Sequence, residues 1–478
     1  MKMKKTKYLV IAALSFMTLS SCEDATDITQ DGIISENNVW ESLQDLQLGL
    51  NGVYAAYNYE SDINFNAIIT DNIKRGESNN GQGQGLYNFN LIPSTTEASS
   101  IYSGRYYGIN VANRVLGGVE TLEFEDAESI AEENSIKAQL LTLRAMYHFD
   151  LFLYYTEDYS DLNSLSVPIV DYVPTIDVAP ERNTVSEVLE FIKNDLDEAS
   201  NLIGNTVGEN FYINKNTILA LQAKIALIEG DYPTVISITD ALLADYPLAT
   251  REDYKDMYLD TSEGESIFTL ARNLDDSQVA GLFYFNSVEL AGSPYLEISN
   301  GLYNELNTGD VRFDVIVHSE SQFEGTDSPD NILLIYKYPG DEDALINDIK
   351  LIKSSEMLLI NAEAKARSND LSGAATYIKQ LRDARYSNAQ PLPSYSNLEE
   401  ALTDILKERR IEFAYEGKRF LDLKWIGKDL NLGVVRNATD CASFSAACGL
   451  PRSSYKFTLP IPQDELNANS NITQNTGY

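Results

Sequence analysis

The feature that most constrains this fold is an internal repeat of helix, turn and helix. Residues 219–224 match residues 358–363, and residues 230–232 then fall on residues 369–371. In both copies, alanines in the first helix allow the second to pack closely. Between the two helices, a Gly or Asn ends the first helix, and the Asp that follows caps the second. This spacing is typical of tetratricopeptide-type repeats, which bury their apolar faces on one another.

Amphipathic stripes with steps of three and four residues recur along the chain, as expected for helices with one buried face. One begins at Trp40, and others lie near residues 100–117, 127–155, 184–203, 215–228, 233–244, 351–367, 371–385 and 397–415. The pattern predicts a mostly α fold, a tetratricopeptide-type array of about four helix pairs. The long stretches between helices, about 59–99 and 245–350, predict irregular insertions that bind a ligand.

The charge of the chain narrows the classes of partner. The 478 residues include 36 Lys and Arg against 72 Asp and Glu, a formal net charge of −36. Such a surface repels phosphate backbones and disfavours anionic substrates, so we expect no nucleic acid and a neutral ligand. Only two histidines, His148 and His318, are present. Their scarcity argues against most zinc hydrolases and Ser-His-Asp enzymes.

The N-terminus reads as an export signal. Four lysines in residues 1–7 precede a mostly apolar run, Tyr8 to Ser21, that is too short to span a bilayer permanently. The run ends in small residues before Cys22, which resembles the lipobox of bacterial lipoproteins. We expect a signal peptide over 1–21, a lipid on Cys22 and a tether over 22–39. The alternative is an ordinary secretory signal.

Several separated segments resemble the SusD/RagB group of outer-membrane nutrient-uptake lipoproteins, over essentially the whole chain. They are RYYGINVAN (105–113), LRAMY (143–147), YKY (336–338), KSSEMLLINAEA (353–364), ERRIEFAYEGKRFLDLKW (408–425), LPIPQDEL (459–466) and QNTGY (474–478). Thr476 departs from the family, which usually has proline there. We interpret the charged 408–425 block as scaffold, with opposite charges at steps of three and four residues that can pin the helix end to the array.

The resemblance implies a SusD-like domain over 40–478 on the outer face of the outer membrane. Acidic Glu23 and Asp24 after the cysteine are typical of surface export in some such lipoproteins. The family captures a nutrient, usually an oligosaccharide, and acts as a lid on a SusC-like TonB-dependent transporter. No catalysis is expected, and motifs such as G-x-S-x-G and H-E-x-x-H are absent from the sequence. The alternatives are capture of a peptide or amino sugar, and a structural lid with little affinity.

Sugar recognition needs aromatic faces for the rings and amides or charged groups for the hydroxyls. In the family such groups lie in two insertions. Tyr284 is expected to face outward if residues 283–285 form a strand, and Trp40 is either an indole platform or a packing residue at the start of a helix. The candidate ligand-binding residues are Trp40, Asp71, Arg75, Asn79, Gln82, Tyr87, Tyr284 and Tyr295.

Two further features concern bonds and ions. Cys441 and Cys448 enclose six residues and can form a disulfide in an oxidising compartment, with free thiols as the alternative. The acidic run 341–343 with Asp348 has the oxygen ligands that calcium prefers, but it lacks the pattern of an EF-hand loop. A solvated loop is the alternative, and we expect no metal or other cofactor.

Overall fold

The computed structural model describes residues 39–175, 177–204, 209–273, 279–284, 293–340, 346–442 and 446–478. The expected signal peptide, Cys22 and most of the tether lie outside the described residues, as does the acidic run 341–343. The fold below refers to the described part of the chain.

Helices dominate the described residues. The helices of the first half are α1 (Leu43–Ala55), α2 (Glu60–Ile69), α3 (Gln84–Tyr87), α4 (Thr96–Val119), α5 (Ala127–Tyr155), α6 (Val185–Leu202), α7 (Lys215–Glu229), α8 (Tyr232–Asp245) and α9 (Arg251–Tyr258). Those of the second half are α10 (Asn300–Tyr303), α11 (Val311–Ile316), α12 (Ser354–Arg367), α13 (Leu371–Arg385), α14 (Leu398–Glu412), α15 (Arg419–Asp429), α16 (Ala438–Ala442) and α17 (Gln463–Ala468).

Short strands join distant parts of the chain. They are β1 (Ile73–Arg75), β2 (Ser266–Leu270), β3 (Leu296–Ile298), β4 (Ile349–Lys353), β5 (Val434–Val435) and β6 (Gly449–Leu450). Each sheet has two antiparallel strands: β1 with β3, β2 with β4, and β5 with β6. None of these ribbons is large enough to be stable alone, so they depend on the helices that they pack against.

The helices pack as the repeat pattern predicts. Helix α1 packs on α4, α5 on α6, α7 on α8, and α12 on α13, while α14 and α15 close the array. The two turns of the internal repeat also form as expected. Gly230 and Asn369 have positive φ at the helix ends, and Asp231 and Asp370 cap the helices that follow. The tetratricopeptide-type array is therefore confirmed.

The charges of the 408–425 block join the end of α14 to the rest of the array, as the sequence predicts. They are buried, and most of their partners lie on other elements rather than three or four residues away. Arg409 donates to Asp422 at 2.7 Å, Glu412 accepts from Arg385 at 2.9 Å, and Lys418 pairs with Glu356 at 2.8 Å. The block therefore ties elements of the scaffold together, although most partners lie farther along the chain than the predicted steps of three and four residues.

Helices α4 and α5 pack so closely that Gly108 has no room for a side chain. A Cβ on Gly108 would lie 2.2 Å from the Tyr147 ring, which is fully buried and held by a 2.7 Å hydrogen bond to the Val53 carbonyl. We expect Gly108→Ala to lower the free energy of unfolding by about 1–3 kcal/mol, because the ring cannot move away.

Gly117 in the same helix is the matched control, since nothing lies within 4 Å of its added Cβ. Gly117→Ala should leave stability unchanged or raise it by up to about 1 kcal/mol through helix propensity. Urea unfolding followed by circular dichroism compares the two variants. Equal stabilities for both would contradict the packing described here.

Candidate functional site

The two insertions meet in one small sheet. In the β1–β3 pair, Ile73 lies opposite Ile298 and Arg75 opposite Leu296. Strand β1 comes from the segment between α1 and α4, and β3 from the segment between α8 and α12. The pairing therefore places beside each other two regions that the sequence offered separately as ligand-binding surface.

Four of the candidate residues gather at the end of this sheet. Arg75 donates from Nη2 to the Asn79 side-chain oxygen at 3.1 Å, and Asn79 donates to the Gln82 carbonyl at 3.2 Å. The Gly76 amide donates to the Tyr295 carbonyl at 2.9 Å. Gln82 is exposed, Arg75 and Tyr295 are half-buried, and Asn79 is buried with its side chain bonded within the turn. The turn thus holds the exposed Gln82 and the half-buried Arg75, and it is joined to Tyr295 through the backbone.

Three other candidates are buried, which corrects their expected role. Asp71 accepts two 2.9 Å hydrogen bonds from Arg419, and the Tyr87 ring lies 3.8 Å from the Arg436 guanidinium carbon. The Tyr284 hydroxyl donates to the Ile335 carbonyl. All three are almost fully buried, so Tyr284 does not face outward. The Asp71 carboxylate, the Tyr284 hydroxyl and the Tyr87 ring contact other parts of the protein rather than solvent.

Trp40 also packs within the protein. A Cβ on Gly118 of α4 would lie 2.5 Å from the indole, and one on Gly49 of α1 would lie 2.9 Å from it. The indole fills the space left by these two glycines and helps hold α1 against α4. Of the two interpretations from the sequence, the structure favours the packing residue.

An aromatic platform lies outside the predicted set. Tyr303 and Phe323 stack with ring centroids 5.1 Å apart and planes 25° apart, and Phe313 meets Tyr303 edge-on at 6.0 Å. Phe323 is 46% exposed although it is a large apolar side chain. We call Tyr303, Phe313 and Phe323 the aromatic platform. The sequence signal for it is a phenylalanine among polar residues, Phe323, which lies within the predicted insertion 245–350.

Polar groups surround this platform. Asp327 accepts from Asn304 at 2.7 Å and from Asn437 at 2.6 Å, and all three belong to separate segments. Residues 317–335 include four acidic residues and no Lys or Arg. The exposed ring thus sits among amides and carboxylates, the groups that bind hydroxyls.

A buried ion pair joins the platform segment to the sheet. Lys74 of β1 lies 3.3 Å from Glu297 of β3. Each of these two residues also forms a hydrogen bond to the backbone of residues 331–333. Lys74 donates to the Asn331 carbonyl, and Glu297 accepts from the Leu333 amide at 3.1 Å. Burial raises the pKa of Glu297, and Lys74 opposes that rise. The platform and the Arg75 turn therefore belong to one block.

Comparisons with known proteins decide the family. Two family models match different parts of the chain: one described as the SusD family matches residues 341–478, and one described as starch-binding and associating with the outer membrane matches 23–227. The chain belongs to the SusD family. The resemblance found in the sequence is confirmed.

Relatives of this SusD family member match nearly end to end. SusD-like protein P38 from Formosa agariphila is 24% identical, over 88% of this chain and 92% of its own. A putative sugar-binding protein from Bacteroides vulgatus is 25% identical, with a TM-score of 0.75 over 92% of this chain and 99% of its own. A laminarin-binding SusD-like protein is 20% identical, with a TM-score of 0.68 over 92% of this chain and 100% of its own.

A separate cavity lies inside the helical array of this SusD family chain. It measures about 130 Å³ and lies between α5, α7, α12 and α15. Its charged groups pair with one another: Lys224 lies 3.3 Å from Glu356, and Arg409 donates to Asp422 at 2.7 Å. These charges are therefore matched within the scaffold.

The remaining expectations concern bonds, ions and the membrane. The disulfide between Cys441 and Cys448 is formed. Within the described ranges, no three His, Cys, Asp or Glu residues are grouped to hold a metal. Asp348, the described member of the proposed calcium ligands, accepts from the Arg272 amide at 2.8 Å. No helix in the described part of the chain is long and apolar enough to cross a bilayer.

The Asp71 contacts lead to a prediction on acid stability. Burial alone would raise the pKa of Asp71, but Arg410 and Arg419 outweigh it and hold the pKa well below the ordinary 3.8. A lowered folded-state pKa stabilises the fold above pH 3.8, and this contribution disappears as the pH falls below that value. Asp71→Asn should cost about 3–5 kcal/mol at pH 7 and flatten the fall in stability between about pH 4 and pH 2.

Urea unfolding at a series of pH values measures this effect. Exposed Asp161→Asn is the control, and its pH profile should follow the unsubstituted protein. A profile for Asp71→Asn that is as steep as that of the control would overturn the role given to this carboxylate.

Proposed function

We propose that this protein captures a neutral oligosaccharide or polysaccharide at the cell surface and delivers it to a SusC-like TonB-dependent transporter, acting as its lid. Membership of the SusD family supports the proposal, as do the names of a sugar-binding and a laminarin-binding structural relative. Capture is by binding alone, with no chemical change to the glycan.

The exposed platform is the observation that carries this proposal. Phe323 stacks on Tyr303, so its outer face is held in one orientation for the apolar side of a sugar ring. Holding the ring in advance lowers the entropy cost of binding. Asn304 and Asp327 lie beside it and are exposed, which lets them reach sugar hydroxyls.

Charge supports a neutral glycan over an anionic one. Glu320, Glu324, Asp327 and Asp330 are all exposed around the platform, and the whole chain is strongly acidic. Carboxylated or sulfated glycans would be repelled by this field. The same acidic groups favour an amino sugar, which is therefore the second candidate ligand. A peptide, or a structural lid with little affinity, remains an outcome of the binding test.

Removing the platform should weaken capture. We expect Phe323→Ala to reduce affinity for a neutral glycan about three- to tenfold, because one stacking contact contributes about 0.5–1.5 kcal/mol. Affinity electrophoresis of residues 23–478 through gels containing laminarin, starch, chitosan or alginate measures the retardation.

Tyr107→Ala is the matched control, since Tyr107 on α4 is 63% exposed but lies outside the platform. Its removal should leave retardation unchanged. Retardation by alginate alone would contradict the neutral ligand. Retardation by chitosan alone would favour the amino sugar only where Phe323→Ala removes it and Tyr107→Ala does not, because a polycation also retards an acidic protein by charge. No retardation in any gel would lead us to test peptides.

The lipid anchor has its own test. We expect Cys22→Ser to move the protein from the membrane fraction to the soluble fraction, because the lipid is the proposed attachment. Fractionation of cells, together with labelling by an alkyne fatty acid, compares the variant with the unsubstituted protein. A labelled or membrane-bound variant would rule out anchoring through Cys22.

A further inference from the structure

Asp440 holds the start of α10, the helix that carries Tyr303 of the platform. This carboxylate is almost fully buried, and it accepts from the Asn300 amide at 2.9 Å and from the Asn300 side chain at 2.6 Å. Asn300 is the first residue of α10, which ends at Tyr303. The orientation of Tyr303 thus depends on a residue 140 positions later in the chain.

The hydrogen bonds continue from Asn300 into the segment that carries Phe323. The Asn300 side-chain oxygen accepts from Asn331 at 2.7 Å. Asn331 in turn accepts from the Glu324 amide at 2.7 Å and donates to the Gly325 carbonyl at 2.9 Å. Asn300 and Asn331 are both buried, so water cannot readily replace these bonds. We call Asp440, Asn300 and Asn331 the buried relay.

The disulfide lies at the far end of the relay. Cys441 follows Asp440 directly and is bonded to Cys448. The Arg436 amide donates to the Cys448 carbonyl at 2.8 Å, and the Arg436 side chain binds the carbonyls of Ile68 and Thr70 at the end of α2. The segment with Asp440 is therefore fixed on both sides, by a covalent bond and by the scaffold.

We propose that the buried relay and the Cys441–Cys448 disulfide position the aromatic platform, so that Asp440 determines ligand affinity without touching the ligand. This inference rests on the proposed function of the platform. Asp440 links Tyr303 and Phe323, which come from separate segments and must stay stacked to present one face. It is a positioning residue.

The hydrogen-bond pattern suggests a test by exchange of groups. In Asp440→Asn, the new amide would point its own N–H groups at the Asn300 side-chain N–H groups, so one bond is lost. Adding Asn300→Asp places a carboxylate opposite the new amide at position 440. One oxygen of this carboxylate can accept from that amide, and the other can still accept from Asn331. We expect Asp440→Asn to weaken glycan binding about tenfold and the double variant to recover most of it.

Asp195→Asn is the control for general loss of stability. Asp195 is buried and accepts two hydrogen bonds from Arg144, at 2.8 and 2.7 Å, between α5 and α6. It makes no contact with the relay, so this variant should lower the melting temperature and leave glycan affinity unchanged. Equal affinity losses for Asp195→Asn and Asp440→Asn would overturn the proposal.

Hydrogen exchange tests the relay even without a glycan that binds. Asp440→Asn, and separately Cys441→Ser with Cys448→Ser, should speed amide exchange at 300–304 and 324–331 but not in α5 or α12. Unchanged exchange there would refute the relay. Faster exchange with no binding of any glycan by the unsubstituted protein would instead refute the proposed ligand and leave the relay standing.

Discussion

Buried charges that must find partners hold this protein together. The segment from Glu408 to Arg419 brings a series of ions into the interior, where an ion without a partner costs several kcal/mol. Its partners come from distant places: Glu416 lies 2.7 Å from Lys337 and 2.8 Å from Lys353. Because Glu416 lies between α14 and α15 while Lys337 lies in an insertion and Lys353 in β4, matching these charges also fixes that insertion against the array.

Residues of the same charged segment also hold the chain just before the candidate site. Arg410 donates to the Asn72 side-chain oxygen at 2.8 Å, and Tyr415 donates to the Asn72 carbonyl at 2.9 Å, just before β1. Strand β1 carries Arg75 and pairs with β3, which leads into α10 and the aromatic platform. The scaffold therefore positions the ligand surface through polar contacts as well as through apolar packing. A surface held this way can be rigid although most of it lies outside regular structure.

The sequence predicted the fold better than the site. Helical stripes, caps such as Asp231 and the internal repeat are local signals, and each was confirmed. The candidate site residues were predicted from chemical type within two insertions, and chemical type does not reveal burial. Tyr87 and Asp71 proved to be buried partners of Arg436 and Arg419, while the exposed Phe323 was overlooked. Side chains of the same type can contact the scaffold or a ligand. Which of the two they contact depends on their neighbours in the fold.

By itself, the sequence determined the helical array, its family and the strong acidity of the surface, because periodicity, motif order and charge can be read along the chain. Only the tertiary structure decided which aromatic rings face solvent and which residues hold them. Asp440, Asn300 and Asn331 are far apart in sequence, and no local pattern relates them. Their contact depends on where the strands and the charged segment place each insertion, which is a property of the whole fold.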